Sequence, residues 1–206
     1  MWLFRLVAIE LLMLGVTSSA YAVEVAFFRQ YTPSGQLVVY EAGGEFAHVA
    51  LSYQGKWLHA HPYGGVQLSH HIYEIGFLDY VILENKNTPE PTDMFVHTQL
   101  QKGFDIFAQW TDAGKTYCSK LIAEFFGIQP RTMYFISKDW VGHNPPRGQL
   151  GISPDDLFKE LIGKKGFQMK PETGAQGAVK THDRLLTKAA PRSPQKRKCV
   201  GYLTSQ

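Results

Sequence analysis

The sequence predicts an α+β domain built on a central antiparallel sheet. Two observations carry this. Five short segments rich in β-branched and aromatic residues follow one another between residues 36 and 84, and the helix-type segments come only after them. A third, the Gln54-Gly55 pair between two of those segments, reads as a tight hairpin turn. Composition allows such a core: of 206 residues, 44% are hydrophobic and 19% charged, which excludes a disordered chain, a collagen, a coiled coil and a polytopic membrane protein. The formal charge of +3 is too small to indicate a nucleic-acid binder, and no nucleic-acid partner is expected. Two cysteines, Cys118 and Cys199, are too few for a disulfide scaffold or a cysteine-rich zinc module.

In chain order, residues 1–22 read as an export signal. Arg5 supplies the positive start, Leu6 to Val16 is apolar apart from Glu10, and Ala20-Tyr21-Ala22 has the small-x-small pattern of a cleavage site, so the mature chain would begin at Val23. The apolar run falls short of the roughly 20 residues that span a bilayer. The folded domain is expected over residues 23–163. Its strands are placed at Gln36–Glu41, His48–Tyr53, Lys56–His61, Val66–His71 and Asp79–Glu84. A helix is expected from Asp93 to about Phe107. A second starts near Cys118, where Leu121, Ile122, Phe125 and Phe126 form one apolar face, and Gly127 ends it. A third follows Ser153-Pro154, with Ser153 as cap. Residues 164–206 carry ten Lys/Arg against Glu172 and Asp183, a local +8, and read as a basic, flexible tail suited to contact with an anionic surface.

The chemistry centres on Cys118. A cysteine at a helix start meets unsatisfied amides and the positive end of the helix dipole, which favour a thiolate and the oxyanion of a tetrahedral intermediate. A thiol nucleophile also needs a base, and the base a partner that orients it. In a hairpin turning at Gln54-Gly55, His48 and His59 come nearly opposite each other, and His61 shares a face with His59. A Cys–His–His constellation is therefore available. The bland alternative is a cysteine that serves as a small buried hydrophobe, with strand histidines as satisfied polar residues. His48, His59, His61, His70 and His71 lack the spacing of a known zinc motif, so neither metal nor cofactor is expected. In an oxidising compartment, a Cys118–Cys199 bridge would silence the thiol; a free Cys199 is the expectation.

The segments His48-Val49-Ala50-Leu51-Ser52-Tyr53, Trp57-Leu58-His59-Ala60 and Gly64-Gly65-Val66 resemble the strand pair that bears the base and third polar residue in NlpC-type, papain-like cell-wall peptidases. Tyr117-Cys118-Ser119-Lys120-Leu121-Ile122 resembles the start of their nucleophile helix. Here the cysteine follows the histidine by 70 residues, an order similar to the circularly permuted branch, the YiiX-like amidases. Gly151-Ile152-Ser153-Pro154-Asp155-Asp156-Leu157 also looks like a segment of that branch. The resemblance spans Leu37 to Leu157. It implies a papain-like fold with Cys118 as nucleophile, His48 as base and His59 as the residue orienting His48. His61 is the nearest rival for the third place, because the permuted branch often has Glu there. Lys120 stands where that branch commonly has Glu. Tyr117 is a candidate for the oxyanion region, while Trp110 and Tyr53 read as core or cleft wall.

Three functions are compatible with this reading. The first is an exported, periplasmic or secreted cysteine hydrolase cleaving an amide in peptidoglycan peptides. The second uses the same triad on lipid or N-acyl amides; the aromatic-rich stretch Met133 to Trp140 offers an acyl groove for it, although ordinary core is the preferred reading of that stretch. The third is a non-catalytic binding module that keeps the fold.

Overall fold

A computed structural model describes residues 22–77, 79–136 and 146–171. Residues 1–21 of the expected export signal, Trp140 of the acyl-groove segment, and Cys199 with the rest of residues 172–206 lie outside the described residues. Among the described residues the fold is mixed α+β, with three α-helices and a six-stranded antiparallel sheet. Its strands are β1 (Ala22–Arg29), β2 (His48–Tyr53), β3 (Lys56–His61), β4 (Gly65–Ser69), β5 (Asp79–Pro89) and, after the last helix, β10 (Gln168–Met169). Their order across the sheet is β10-β5-β1-β2-β3-β4. Between β5 and β10 come α1 (Asp93–Leu100), the short parallel pair β6 (Gly103–Phe104) and β7 (Lys115–Thr116), α2 (Cys118–Phe126), the ribbon β8 (Arg131–Tyr134) and β9 (Arg147–Gly151), and α3 (Pro154–Lys164).

The sheet is buried on two sides around β1. Val25 and Phe27 lie in a cluster with Val49, Leu51, Leu58 and Leu83, packed against Leu121 and Ile122 of α2 and Leu157 and Leu161 of α3. On the other face Ala26 and Phe28 join Ala50 and Ile82 under Ile75, with Trp57, Phe77 and Tyr80 around them. A strand covered on both faces has to be a nearly continuous apolar run, and Val-Glu-Val-Ala-Phe-Phe satisfies that. The sequence reading contained no strand here, because the segment begins where the export signal was expected to end.

Several boundaries differ from the expectation. Gln36–Glu41 is not a strand; the segment contributes a single bridge, Tyr31 with Leu37. Its Val38 and Tyr40 instead bury against Tyr117, Met133 and Phe135 in a separate cluster, so its apolar alternation reflects burial without a ladder. The helix from Asp93 stops at Leu100, before Gly103, and Gly103 and Phe104 pair with Lys115 and Thr116. The fold also continues past residue 163. Phe167 is buried in the main core and β10 pairs with β5, so residues 164–171 belong to the domain and not to the tail.

Three local expectations agree with the structure. Gln54 and Gly55 both take positive φ, +48° and +72°, as a two-residue turn matching strand twist demands. Gly127 closes α2 at φ +63°, its N–H reaching the Ala123 and Glu124 carbonyls. Ser153 caps α3 by accepting from Asp156 N at 3.0 Å, and its hydroxyl donates to Glu41 Oε2 at 2.6 Å. Among the described residues, no helix is long and apolar enough to cross a membrane.

Candidate active site

Cys118 is the first residue of α2, and Tyr117 before it offers no side-chain cap, so the first-turn amides are left for other partners. The amides of Cys118 and Ser119 favour the thiolate, as does the Val49 amide on β2. Burial outweighs them: Cys118 is 8% exposed and its thiol is pushed up to about 11. At rest it is a neutral S–H. Ser119 Oγ donates to the Ile152 carbonyl at 2.7 Å, tying the first turn of α2 to the chain before α3.

The Val49 amide reaches this place because β2 and β3 part. Their ladder runs from Tyr53–Lys56 to Leu51–Leu58 and stops there, leaving Val49 unpaired on that side. At the same end, Ala47 N donates to the Phe28 carbonyl at 2.8 Å while His48 also stands opposite Phe28. Two residues facing one is a bulge, a feature that re-aims a side chain at a strand end.

His48 and His59 are brought together. His48 Nε2 lies 3.2 Å from His59 Nδ1, and His59 Nε2 lies 3.1 Å from Ser69 Oγ. Phe77 stacks on His48 at 5.3 Å between centroids, and Phe28 flanks it at 5.8 Å. Burial keeps both rings neutral: it draws His59 down to about 4 and His48 well below its usual range, with their histidine neighbours adding to the effect. His61 is not the partner of His48. Its ring is 6.3 Å from that of His59, and its Nδ1 accepts from Tyr63 N at 3.2 Å.

Among the described residues, no hydrogen bond joins Cys118 to His48. The imidazole extends over the Phe28 face of β2, whereas the thiol packs in the cluster of Val49 and Leu121. They converge through the backbone step from His48 to Val49.

Tyr117 departs from the oxyanion expectation. Its side chain is 2% exposed, and its hydroxyl accepts from Ile152 N at 3.0 Å, which makes it a strut between α2 and the chain before α3. Gly151 lies so close that an added Cβ would meet the Tyr117 hydroxyl at 2.6 Å. Lys120, 1% exposed, donates to the carbonyls of Gln109, Asp112 and Lys115 at 3.2, 2.6 and 3.0 Å. It pins the loop leading into α2. Trp110 and Tyr53 pack partly buried against the main core, in keeping with the core half of the core-or-wall expectation. Met133 and Phe135 are 0% and 2% exposed core residues, which removes them from an acyl groove.

Sequence reasoning missed Ser69, Ser119, Phe77 and the Val49 amide. Ser69 was legible only through register: Trp57 pairs with Ser69 and His59 with Gln67, so Ser69 sits diagonally across from His59 on the same face. No group of three or more His, Cys, Asp or Glu is placed to hold a metal among the described residues. Comparison with protein-family models, curated proteins and solved structures found no match.

Proposed function

We propose that the chain is an exported cysteine hydrolase that cleaves an amide bond on a permuted NlpC-type, papain-like scaffold, with peptidoglycan peptide as the substrate. The observation that carries this reading is one juxtaposition: a thiol at a helix N-terminus beside the amide that follows a buried, histidine-bonded histidine. Both partners start neutral, so the reaction is general-base catalysis. As Sγ attacks the carbonyl carbon, its proton passes to Nδ1 of His48. The oxyanion faces the open amides at the start of α2. His48 then returns the proton to the departing amine, which leaves as the C–N bond breaks. Water, giving a proton to the same nitrogen, cleaves the thioester and restores the thiol. His59 touches no reacting atom; it holds the His48 ring. Export to the periplasm or beyond brings such an enzyme to cell-wall peptides, and the cations of residues 172–206 would hold it at an anionic surface.

A binding module with the same fold is the second reading, and the high thiol pKa of the closed site favours it. Alkylation of Cys118 against pH, in Cys199→Ser protein with and without His48→Ala, separates the two. A plateau of reaction reaching below pH 7 that disappears with His48→Ala supports the hydrolase. Equal rates in both proteins, rising only as an ordinary or buried thiol ionises, would leave the binding module.

A further inference from the structure

We propose that Ser69 is a positioning residue of this site: its hydroxyl oxygen accepts the Nε2–H of His59 and so sets the sense of the whole hydrogen-bond chain through His59 to His48. The inference rests on the reading of His48 as the base.

Both rings are neutral, so each carries a single N–H, and a chain of two bonds across two rings has only two senses. In one, Ser69 donates to His59 Nε2, His59 donates from Nδ1 to His48 Nε2, and the remaining proton of His48 sits on Nδ1. That nitrogen would then be a donor and could take no proton. In the other sense, His48 donates from Nε2 to His59 Nδ1 across 3.2 Å, His59 donates from Nε2 to Ser69 Oγ across 3.1 Å, and Nδ1 of His48 is bare. Only this sense gives a base.

The surroundings of Ser69 suit the part. It is 9% exposed on the edge strand β4, diagonally across from His59, which is 1% exposed, so the oxygen is fixed against a ring that has few other partners. A hydroxyl is an uncharged acceptor. It orients His59 without drawing it toward the cationic state, as a carboxylate at that place would. Bonds in such a chain polarise one another, so the acceptor at one end is felt at the nitrogen of the other.

The test is a long-range proton–nitrogen NMR spectrum of ¹⁵N-histidine-labelled protein, recorded for the wild type, Ser69→Ala and Ser69→Thr, together with Cys118 alkylation over pH 5–9 in the Cys199→Ser background. We expect His48 and His59 both as single Nε2–H forms in the wild type. Ser69→Ala should give mixed tautomers at His59 and slow alkylation by about tenfold at neutral pH, the size of one buried hydrogen bond. Ser69→Thr, which keeps the oxygen, should restore both. An Nδ1–H form at His59 in the wild type, or spectra of Ser69→Ala unchanged from wild type, would overturn the proposal. If the tautomers are as expected while wild-type alkylation is indifferent to His48→Ala, the hydrolase reading fails and the Ser69 chain stands as a structural device.

Discussion

His59 enters the fold as a neutral ring, held by burial at a pKa of about 4 against 6.5 for an ordinary histidine, and His48 is shifted the same way. Between those two values, the unfolded chain binds a proton that the folded chain refuses. Stability from this source is therefore complete above pH 6.5 and is lost as pH falls toward 4. Glu41 and Asp155, raised by burial, act in the opposite direction near the carboxylate range, so the histidine effect stands clearest from about pH 5 to 6.5. Thermal melts across that interval should show a falling Tm in the wild type and a flatter profile in His59→Gln; parallel profiles would mean that the rings are not held neutral. Cys118 predicts a second limb. Its thiol is raised from 9.0 to about 11, so its contribution is present below pH 9 and fades as pH rises through 11. Cys118→Ala should remove part of that alkaline loss. At this scale the sequence was informative where chemistry is local. A hairpin turn and period-two alternation suffice to put His48 near His59. They say nothing of Phe77, which reaches His48 from beyond β4, or of the burial that sets both pKa values.

Among the elements, α2 shows how local and non-local signals divide. Its apolar face and terminal Gly127 were readable from spacing, because both are properties of adjacent residues. Gly127 at φ +63° has open space around its Cα, so Gly127→Ala tests backbone strain alone and should cost about 1 kcal/mol in a denaturant titration. Lys120 could not be read this way. A charged residue on the apolar side of a helix looks like an error until the loop between residues 105 and 116 folds over it and supplies three carbonyls. Lys120→Met keeps the length and removes every donor, leaving those carbonyls to find other partners. We expect a loss of about 2–3 kcal/mol and loosening of the loop, seen as faster amide exchange over residues 105–116. A variant as stable and as protected as wild type would show that solvent replaces the ammonium without cost. The same contrast explains Gln36–Glu41: alternating Val38 and Tyr40 resemble a strand, yet their burial is against Met133 and Phe135, which no local pattern reveals.

The whole molecule joins its first described strand to its last. β1 begins at Ala22, β10 ends at Met169, and both flank β5, so the sheet closes only when residues far apart in sequence have met. Composition hid this closure, because β10 lies inside a run of cations that reads as tail. Three of the ten cations after residue 163 belong to the fold: Lys164 pairs with Glu160 at 3.0 Å, Lys165 donates to the Phe126 carbonyl at 2.9 Å, and Lys170 pairs with Glu24. Seven Lys/Arg against Glu172 and Asp183 remain for residues 172–206, a net +5. Structural and electrostatic roles should therefore separate at residue 171. Phe167, 3% exposed and edge-on to Phe126 at 5.2 Å, holds the connection from α3 to β10, and Phe167→Ala should cost about 3–4 kcal/mol in a denaturant titration. That change leaves every cation in place, so binding to anionic vesicles or isolated cell wall at a temperature where the variant is folded should match wild type. Removing residues 172–206 should give the reverse result: the sheet, including β10, is complete without them, and surface binding should fall steeply and lose its dependence on salt. Binding that survives the deletion would assign the surface contact to the domain itself, whose own charge is of the wrong sign for it.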